Sequence, residues 1–496
     1  MADTGSLISP HVVIFPFPIQ GHINSMLKLA EVLCLSGINV TFVNTQQNHS
    51  RLSNFGDVQS RFGSFPGFCF ETIPDGLSAD QPHSTGFRNS QDLVDMLHRL
   101  KNVIRPGFRE LLTSDRLKID SRGPVSCIIA DGILGFAIVV AEELGIPSIS
   151  FRTISACCSW IYFCLPKLIE NGDIPFKDED MDQPIKNVPE MESFLRCRDL
   201  PSFCRAKDLN HPSLDFVISE TLYSTRATAH LLNTFDIEAP IISQLRSYWP
   251  NLYTVGPLNA LLNTLRSRTA NSPHSSSSSS KSVSSNASLY EEDRSCMTWL
   301  DKQPEKSVVY VSFGSIAMVS REQWLEIWYG LVNSGHRFLW VKPPDSLLAK
   351  DDEESHVQAE TELIEATKER GYTVEWAPQE EVLNHSSVGG FFTHSGWNST
   401  LESMVAGVPM VCWPHLADQQ INSRYVSEVW KIGMDMKDNC NRLTVEKLIR
   451  DMMDVKREEL TKSTAKVAEM ARQSIGSDGS SYRNYEGLLE FIRKSC

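Results

Sequence analysis

The residues best able to do chemistry gather between Trp376 and Gln419, in the run WAPQEEVLNHSSVGGFFTHSGWNSTLESMVAGVPMVCWPHLADQ. Val388 to Thr393 reads as a buried strand, being short, apolar and carrying two glycines. His394, Ser395, Gly396 and Trp397 form a tight turn after it. Ser399-Thr400-Leu401-Glu402 has capping-box spacing, which predicts Ser399 as an N-cap and Glu402 as its N3 partner. Gly407 and Pro409 stop that helix, and Val408 to Trp413 reads as the next strand. A strand that enters a helix through a glycine turn aims unpaired N–H groups and the positive dipole end at one spot, which is an anion site. An ordinary αβ connection has the same spacing. It does not need the polar and aromatic residues found here: Trp376, His394, Trp397, Asn398, Asp418 and Gln419.

The stretch resembles the sugar-nucleotide signature of plant small-molecule UDP-glycosyltransferases. That signature begins W-A-P-Q, carries H-x-G-W-N-S/T near its middle and ends D/E-Q, and every element is present. Ser395 stands where the family often has Cys; a small residue is kept in the turn. The resemblance implies a role for each position. Trp376 would stack on uracil, with Ala377 and Gln379 beside it. Glu402 would take both ribose hydroxyls, and Ser399 would cap the helix alone. His394, Asn398 and Ser399 would hold the diphosphate, with Ser315 nearby. Trp397, Asp418 and Gln419 would hold the sugar.

The elements that must position these groups read as βαβ units. His11 to Pro16 is a first buried strand, followed by the loop Phe17 to His22 and a helix from about Asn24 to Ser36. Met26, Leu27, Ala30, Leu33 and Cys34 form its apolar face, with Lys28 and Glu31 opposite. Ile38 to Val43 is the second strand. Val125 to Asp131 is a strand ending in a carboxylate, and Ser148 to Phe151 is the strand after the next helix. Alone, His22 reads as a cap or surface residue and Asp131 as a turn former. The resemblance implies instead that His22 is the catalytic base, that Asp131 pairs with it, and that Thr153 lies near the sugar.

The implied fold is α/β of GT-B type, with two facing Rossmann-like, doubly wound parallel-sheet domains. Expected boundaries are 1–256 for the acceptor domain, 257–300 for a linker, 301–475 for the UDP-sugar domain and 476–496 for a helix crossing back. Asn271 to Ser288 is mostly serine and reads as a flexible excursion. Cys164 to Leu222 reads as irregular; with Phe65 to Leu77 and Gln91 to Leu97 it is expected to form acceptor-facing loops. The D-x-D matches at Asp178–Asp182 fall in an acidic loop with no preceding strand, so no metal site is expected.

Composition is that of an ordinary globular protein with chain enough for two or three domains: 496 residues, 41% apolar, 22% charged. A net charge of −14 argues against nucleic acid and anionic membranes as partners. Twelve cysteines without C-x-x-C pairs, no leader and no long apolar run predict a cytoplasmic protein, here taken as a monomer. A dinucleotide-dependent dehydrogenase is excluded, because Pro18 to His22 is not G-x-G-x-x-G and the second strand ends Val43-Asn44-Thr45. A non-catalytic sugar-nucleotide sensor would lack the base or its carboxylate. The activity these readings imply is inverting, metal-free transfer of glucose from UDP-glucose to a small lipophilic aglycone, without a cofactor. Within the family, Gln419 goes with glucose donors, and the overall pattern with iridoid acceptors of the 7-deoxyloganetic acid kind. Flavonoids and other phenolics are the alternative.

Overall fold

A computed structural model describes residues 9–495 apart from 57, 78–89, 119–121, 206, 271–287, 344–364 and 366. All of the serine tract except Ser288 lies outside the described residues. The first sheet contains β1 (His11–Phe15), β2 (Asn39–Thr45), β3 (Phe68–Ile73), β4 (Cys127–Asp131), β5 (Ser148–Arg152), β6 (Ala229–Leu232) and β7 (Leu252–Thr254). The second contains β8 (Val308–Ser312), β9 (Arg337–Val341), β10 (Gly371–Val374), β11 (Val388–Thr393), β12 (Met410–Cys412) and β13 (Gly433–Asp435). Their orders are β3-β2-β1-β4-β5-β6-β7 and β10-β9-β8-β11-β12-β13, and all pairings are parallel.

The apolar runs that mark these strands have a packing cause. Along β1, Val12 and Ile14 enter one core cluster while Val13 and Phe15 enter another on the opposite face. Along β8, Val308 and Tyr310 alternate in the same way with Val309 and Val311. Both faces of each sheet are therefore covered at its centre, and partly exposed polar positions such as Glu71 and Thr373 fall on the edge strands β3 and β10. The chain reverses direction across the first sheet between β1 and β4, and across the second between β8 and β11. Crevices open at such switch points, at the carboxyl ends of the strands.

Local boundaries correct several expectations. The first helix spans Gln20–Leu35, so His22 lies in its first turn rather than in a loop. Lys28 and Glu31 do not form a solvated face; they are 4% and 3% exposed, because charged partners cover them. Phe68 to Ile73 is the edge strand β3, and Ser90–Arg99 is helical. Cys164 to Leu222 is less irregular than its composition suggests: helix Ala156–Glu170 runs into it and helix Pro212–Ser224 runs out. The last helix, Ser480–Lys494, lays Tyr485, Leu488 and Ile492 into the first domain's core.

Candidate active site

Both switch points face one cleft. His22 follows β1 and Asp131 ends β4. Gly314 and Ser315 follow β8, and His394 follows β11. Together with Thr153, Trp376, Ala377, Gln379, Trp397, Asn398, Ser399, Glu402, Asp418 and Gln419, His22 and Ser315 line a single cavity. An adjoining, mainly apolar cavity shares His22 and Thr153 and adds Asp131, Arg152, Phe17, Phe203 and Phe216. The dyad thus stands where a polar cleft meets an apolar pocket.

His22 Nδ1 lies 2.7 Å from Asp131 Oδ2 and 2.8 Å from Thr153 Oγ1. Since Oδ2 can only accept, Nδ1 carries the proton and Nε2 keeps its lone pair for the cleft. Asp131 is itself held by the backbone N–H groups of Phe17 (3.3 Å) and Ile133 (3.2 Å). Burial pulls the His22 pKa down, but the charge and hydrogen bond of Asp131 outweigh it, and the net shift is upward from 6.5. Asp418, reaching in from the second domain, adds to that rise.

The turn after β11 differs in detail from its sequence reading. Helix Trp397–Ala406 begins two residues before Ser399, with Gly396 as N-cap and no side-chain cap. The Ser399–Glu402 capping box is therefore absent: Ser399 sits at the third helical position. Its Oγ instead accepts from Gln379 Nε2 at 2.9 Å. The left-handed turn falls on Ser395, at φ 65°. The His394 ring is pinched between two glycines. A Cβ on Gly314 would lie 2.7 Å from its Nε2, and one on Gly396 would lie 2.5 Å away. Burial pushes His394 down to about 4, so it is a neutral imidazole beside the helix N-terminus.

Two signature side chains are occupied elsewhere. Asn398 Nδ2 donates to the carbonyl of Gly21 at 2.8 Å, and its Oδ1 accepts from Ser25 Oγ at 2.7 Å. Trp397 Nε1 donates to the carbonyl of Asn233 at 2.8 Å. These bonds tie the second domain to the first, while both residues also line the cavity. Gln379 likewise serves Ser399 and, at 2.7 Å, Glu402 Oε2. Gln419 Oε1 accepts from the N–H groups of His415 and Leu416, which leaves its NH2 to donate into the cleft. Asp418 Oδ2 accepts from Asn422 at 2.7 Å, and burial pushes its pKa up to about 6. Trp376 stacks on Tyr290 at 4.4 Å between centroids, leaving its other face to the cavity.

Lys28 was missed by sequence reasoning. From the first domain it reaches Glu380 Oε1 at 2.5 Å and Glu402 Oε1 at 3.1 Å, with all three side chains 5–6% exposed. Burial lowers its pKa, but the two carboxylates more than reverse this. The sequence signal was that the run from Trp376 to Gln419 holds no Lys or Arg to pair with Glu380 or Glu402.

Residues 259–470 match the family model described as UDP-glucoronosyl and UDP-glucosyl transferase, and residues 9–162 match that of the glycosyltransferase N-terminal domain. A 7-deoxyloganetic acid glucosyltransferase of Catharanthus roseus is 52% identical over 99% of both chains. A myricetin 3-O-rhamnoside 1,2-glucosyltransferase of Crocosmia x crocosmiiflora is 42% identical over 97% of this chain and 96% of its own. Among solved structures, Os79 of O. sativa in complex with UDP superposes with a TM-score of 0.78 at 27% identity, covering 98% of this chain and 100% of that one. With the paired switch-point sheets, these likenesses establish the GT-B architecture, and the chain belongs to the UDP-glucoronosyl and UDP-glucosyl transferase family.

Proposed function

We propose that the enzyme transfers glucose from UDP-glucose to a hydroxyl of a small lipophilic plant metabolite, an iridoid or related terpenoid of the 7-deoxyloganetic acid kind. The observation that carries this reading is the His22–Asp131 contact of 2.7 Å at the junction of the apolar pocket and the polar cleft. The acceptor lies in the first domain's pocket with its hydroxyl at His22 Nε2. That nitrogen takes the proton as the oxygen bonds to the anomeric carbon. The bond from that carbon to the β-phosphate oxygen breaks, and its electron pair leaves with UDP. Asp131 keeps the imidazole in its Nδ1–H tautomer and stabilises the imidazolium. Attack and departure occur on opposite faces, so the anomeric centre inverts.

On the donor side, Trp376 stacks on uracil and Glu402 accepts the ribose hydroxyls. The turn N–H groups, His394, Ser315, Asn398 and Ser399 receive the diphosphate, and Trp397, Asp418 and Gln419 hold the glucose. A helix N-terminus with preorganised donors stabilises a leaving diphosphate without a metal. We divide the chain as 1–256 acceptor domain, 257–300 linker, 301–475 donor domain and 476–496 returning helix. A monomer in the cytoplasm fits best, since every cysteine among the described residues is a free thiol. No described helix is long and apolar enough to cross a membrane.

The test is product mass after incubation with UDP-glucose and iridoid, flavonol or simple phenolic acceptors, with and without EDTA. The reading expects an iridoid glucoside and full activity in EDTA. A higher kcat/KM for the flavonol moves the acceptor to phenolics. Loss in EDTA with rescue by Mg²⁺ refutes metal independence. Preference for UDP-galactose or UDP-glucuronate in competition overturns the donor.

A further inference from the structure

The acceptor pocket is mainly apolar, yet it contains a cation. Arg152 is the last residue of β5 and lines the pocket with Phe17, Ile133, Ile154, Phe203 and Phe216. It is 3% exposed. Its stem crosses Gly132, where a Cβ would lie 2.5 Å from Arg152 Cδ. One end is anchored: Nη2 donates to Thr221 Oγ1 at 3.0 Å and to Ser224 Oγ at 3.1 Å. Nε and Nη1 are buried and have no hydrogen-bond partner among the described residues. A guanidinium stays charged in protein interiors and carries five donors in a fixed fork. Leaving part of that fork unpaired in a pocket of phenylalanines and isoleucines is costly unless a ligand completes it.

Among the described residues, no neighbour supplies the missing acceptor. Asp131 is engaged by His22 and by the N–H groups of Phe17 and Ile133. Glu220 is engaged by the Phe136 N–H at 3.0 Å, and burial pushes it up to about 7, so it brings less than a full charge. Cys158 and Tyr162, also close, are kept neutral by burial. His230 is neutral as well, its pKa lowered by burial to about 4.

We infer that Arg152 is the acceptor-recognition residue of this pocket and binds a carboxylate on the acceptor, so that the enzyme selects hydroxy-acid aglycones over their neutral esters. A carboxylate offers a charged oxygen to the Nη1–H or the Nε–H, the two donors that Thr221 and Ser224 leave unpaired, whereas an ester offers a weaker, uncharged acceptor and an added alkyl group. Arg152 follows in β5 the residue paired with Asp131, and Thr153 touches His22. Anchoring the acid at Arg152 therefore orients the rest of the molecule toward Nε2 of the base. The inference rests on the glucosyl-transfer reading given above and specifies its acceptor.

The test compares kcat/KM for 7-deoxyloganetic acid and for its methyl ester, with saturating UDP-glucose and the full chain. The wild type should prefer the acid by roughly 10²-fold or more, the usual worth of a desolvated charged pair. Arg152→Gln should collapse the acid-to-ester ratio by about 10²–10³-fold, chiefly through KM for the acid. Arg152→Lys keeps the charge but not the fork and should fall between. It also serves if the glutamine variant does not fold. A ratio that survives either substitution, or a wild type without preference for the acid, overturns the inference. If the wild type glucosylates neither iridoid, the iridoid reading fails separately. Arg152 is then decided by the same ratio on 4-hydroxybenzoate and its methyl ester.

Discussion

Replacing Lys28 with methionine tests whether the ribose carboxylate is controlled from the opposite domain. Lys28 sits 2.5 Å from Glu380 and 3.1 Å from Glu402, and all three groups are nearly dry. At an effective dielectric near 20 those distances correspond to about 6.6 and 5.4 kcal/mol of attraction, set against the desolvation of three ions. Methionine keeps the volume and removes the charge, leaving two carboxylates buried side by side. Burial already raises the Glu402 pKa, with Lys28 holding it back. Without Lys28 the rise is larger and Glu402 takes up a proton. Protonating a carboxyl of pKa about 4.3 at pH 7 costs about 3.7 kcal/mol, which bounds the destabilisation. At pH 5.5 the same step costs about 1.6 kcal/mol, so roughly 2 kcal/mol of stability should return on acidification. The sign follows from a raised folded-state pKa: the relative stability is present below the unfolded pKa and lost as pH rises through the folded one. UDP affinity should move the other way. A protonated Glu402 loses charge-assisted bonds to the ribose hydroxyls, worth about 1.5–3 kcal/mol, or roughly 10–150-fold in Kd. Calorimetric Kd for UDP between pH 6 and 9 should therefore be weak at the acid end and recover toward the alkaline end. Denaturation midpoints should show the opposite trend. A Lys28→Met protein with wild-type UDP affinity and no pH dependence would refute the control of Glu402 from the first domain.

His22→Ala should lower kcat by about 10²–10⁴-fold, the range for a lost general base, while Kd for UDP stays near wild type because the His22 side chain makes none of the cross-domain bonds to Asn398, Trp397 and Glu402; wild-type turnover would sink the assignment. In the intact enzyme, kcat/KM should fall on acidification with a midpoint above 6.5, because the Asp131 charge overcomes burial and raises His22. Asp131→Asn removes the raising influence and leaves burial, so that midpoint should shift to lower pH while the plateau drops; an unmoved midpoint contradicts the dyad. Gly314→Ala places a Cβ 2.7 Å from His394 Nε2 at a residue with φ 74°. Backbone strain of about 1–2 kcal/mol and a displaced imidazole should weaken UDP binding by roughly 10-fold, and unchanged calorimetric affinity would show that His394 does not shape the donor seat.

The inner strands of both sheets, and the placement of His22, Asp131 and the His394 turn at their ends, were legible because buried parallel strands read as unbroken apolar runs; the edge strands β3, β7, β10 and β13 were not. That signal is strong and local. What escaped depends on partners distant in the sequence. Helix Gln20–Leu35 reads as amphipathic, with Lys28 and Glu31 on a wet face, because periodicity registers polarity and not what covers it. Those two side chains are buried by partners distant in sequence: Glu380 and Glu402 for one, Arg61 and Arg266 for the other. The capping box failed for a related reason. Ser399 and Glu402 have the right spacing, but Gln379 bridges them from a separate helix, and Gly396 starts the helix earlier.

These misreadings share a physical consequence. Asn398 is held by Gly21 and Ser25, Trp397 by Asn233, and Glu402 by Lys28, so the donor seat is completed by the first domain. The bonds that fix the donor groups are among those that close the cleft, beside Ser202–Ala417 and Arg424–Phe194. Any opening that admits UDP-sugar by separating the domains must loosen Asn398, Trp397 and Glu402 together, and closure must restore all three while bringing His22 Nε2 to the anomeric carbon. Donor binding and assembly of the base are thereby coupled through three side chains of the signature. Substitutions at Ser25, Lys28 or Gly21, within the first domain and outside the signature, should accordingly appear in UDP affinity before they appear in acceptor KM.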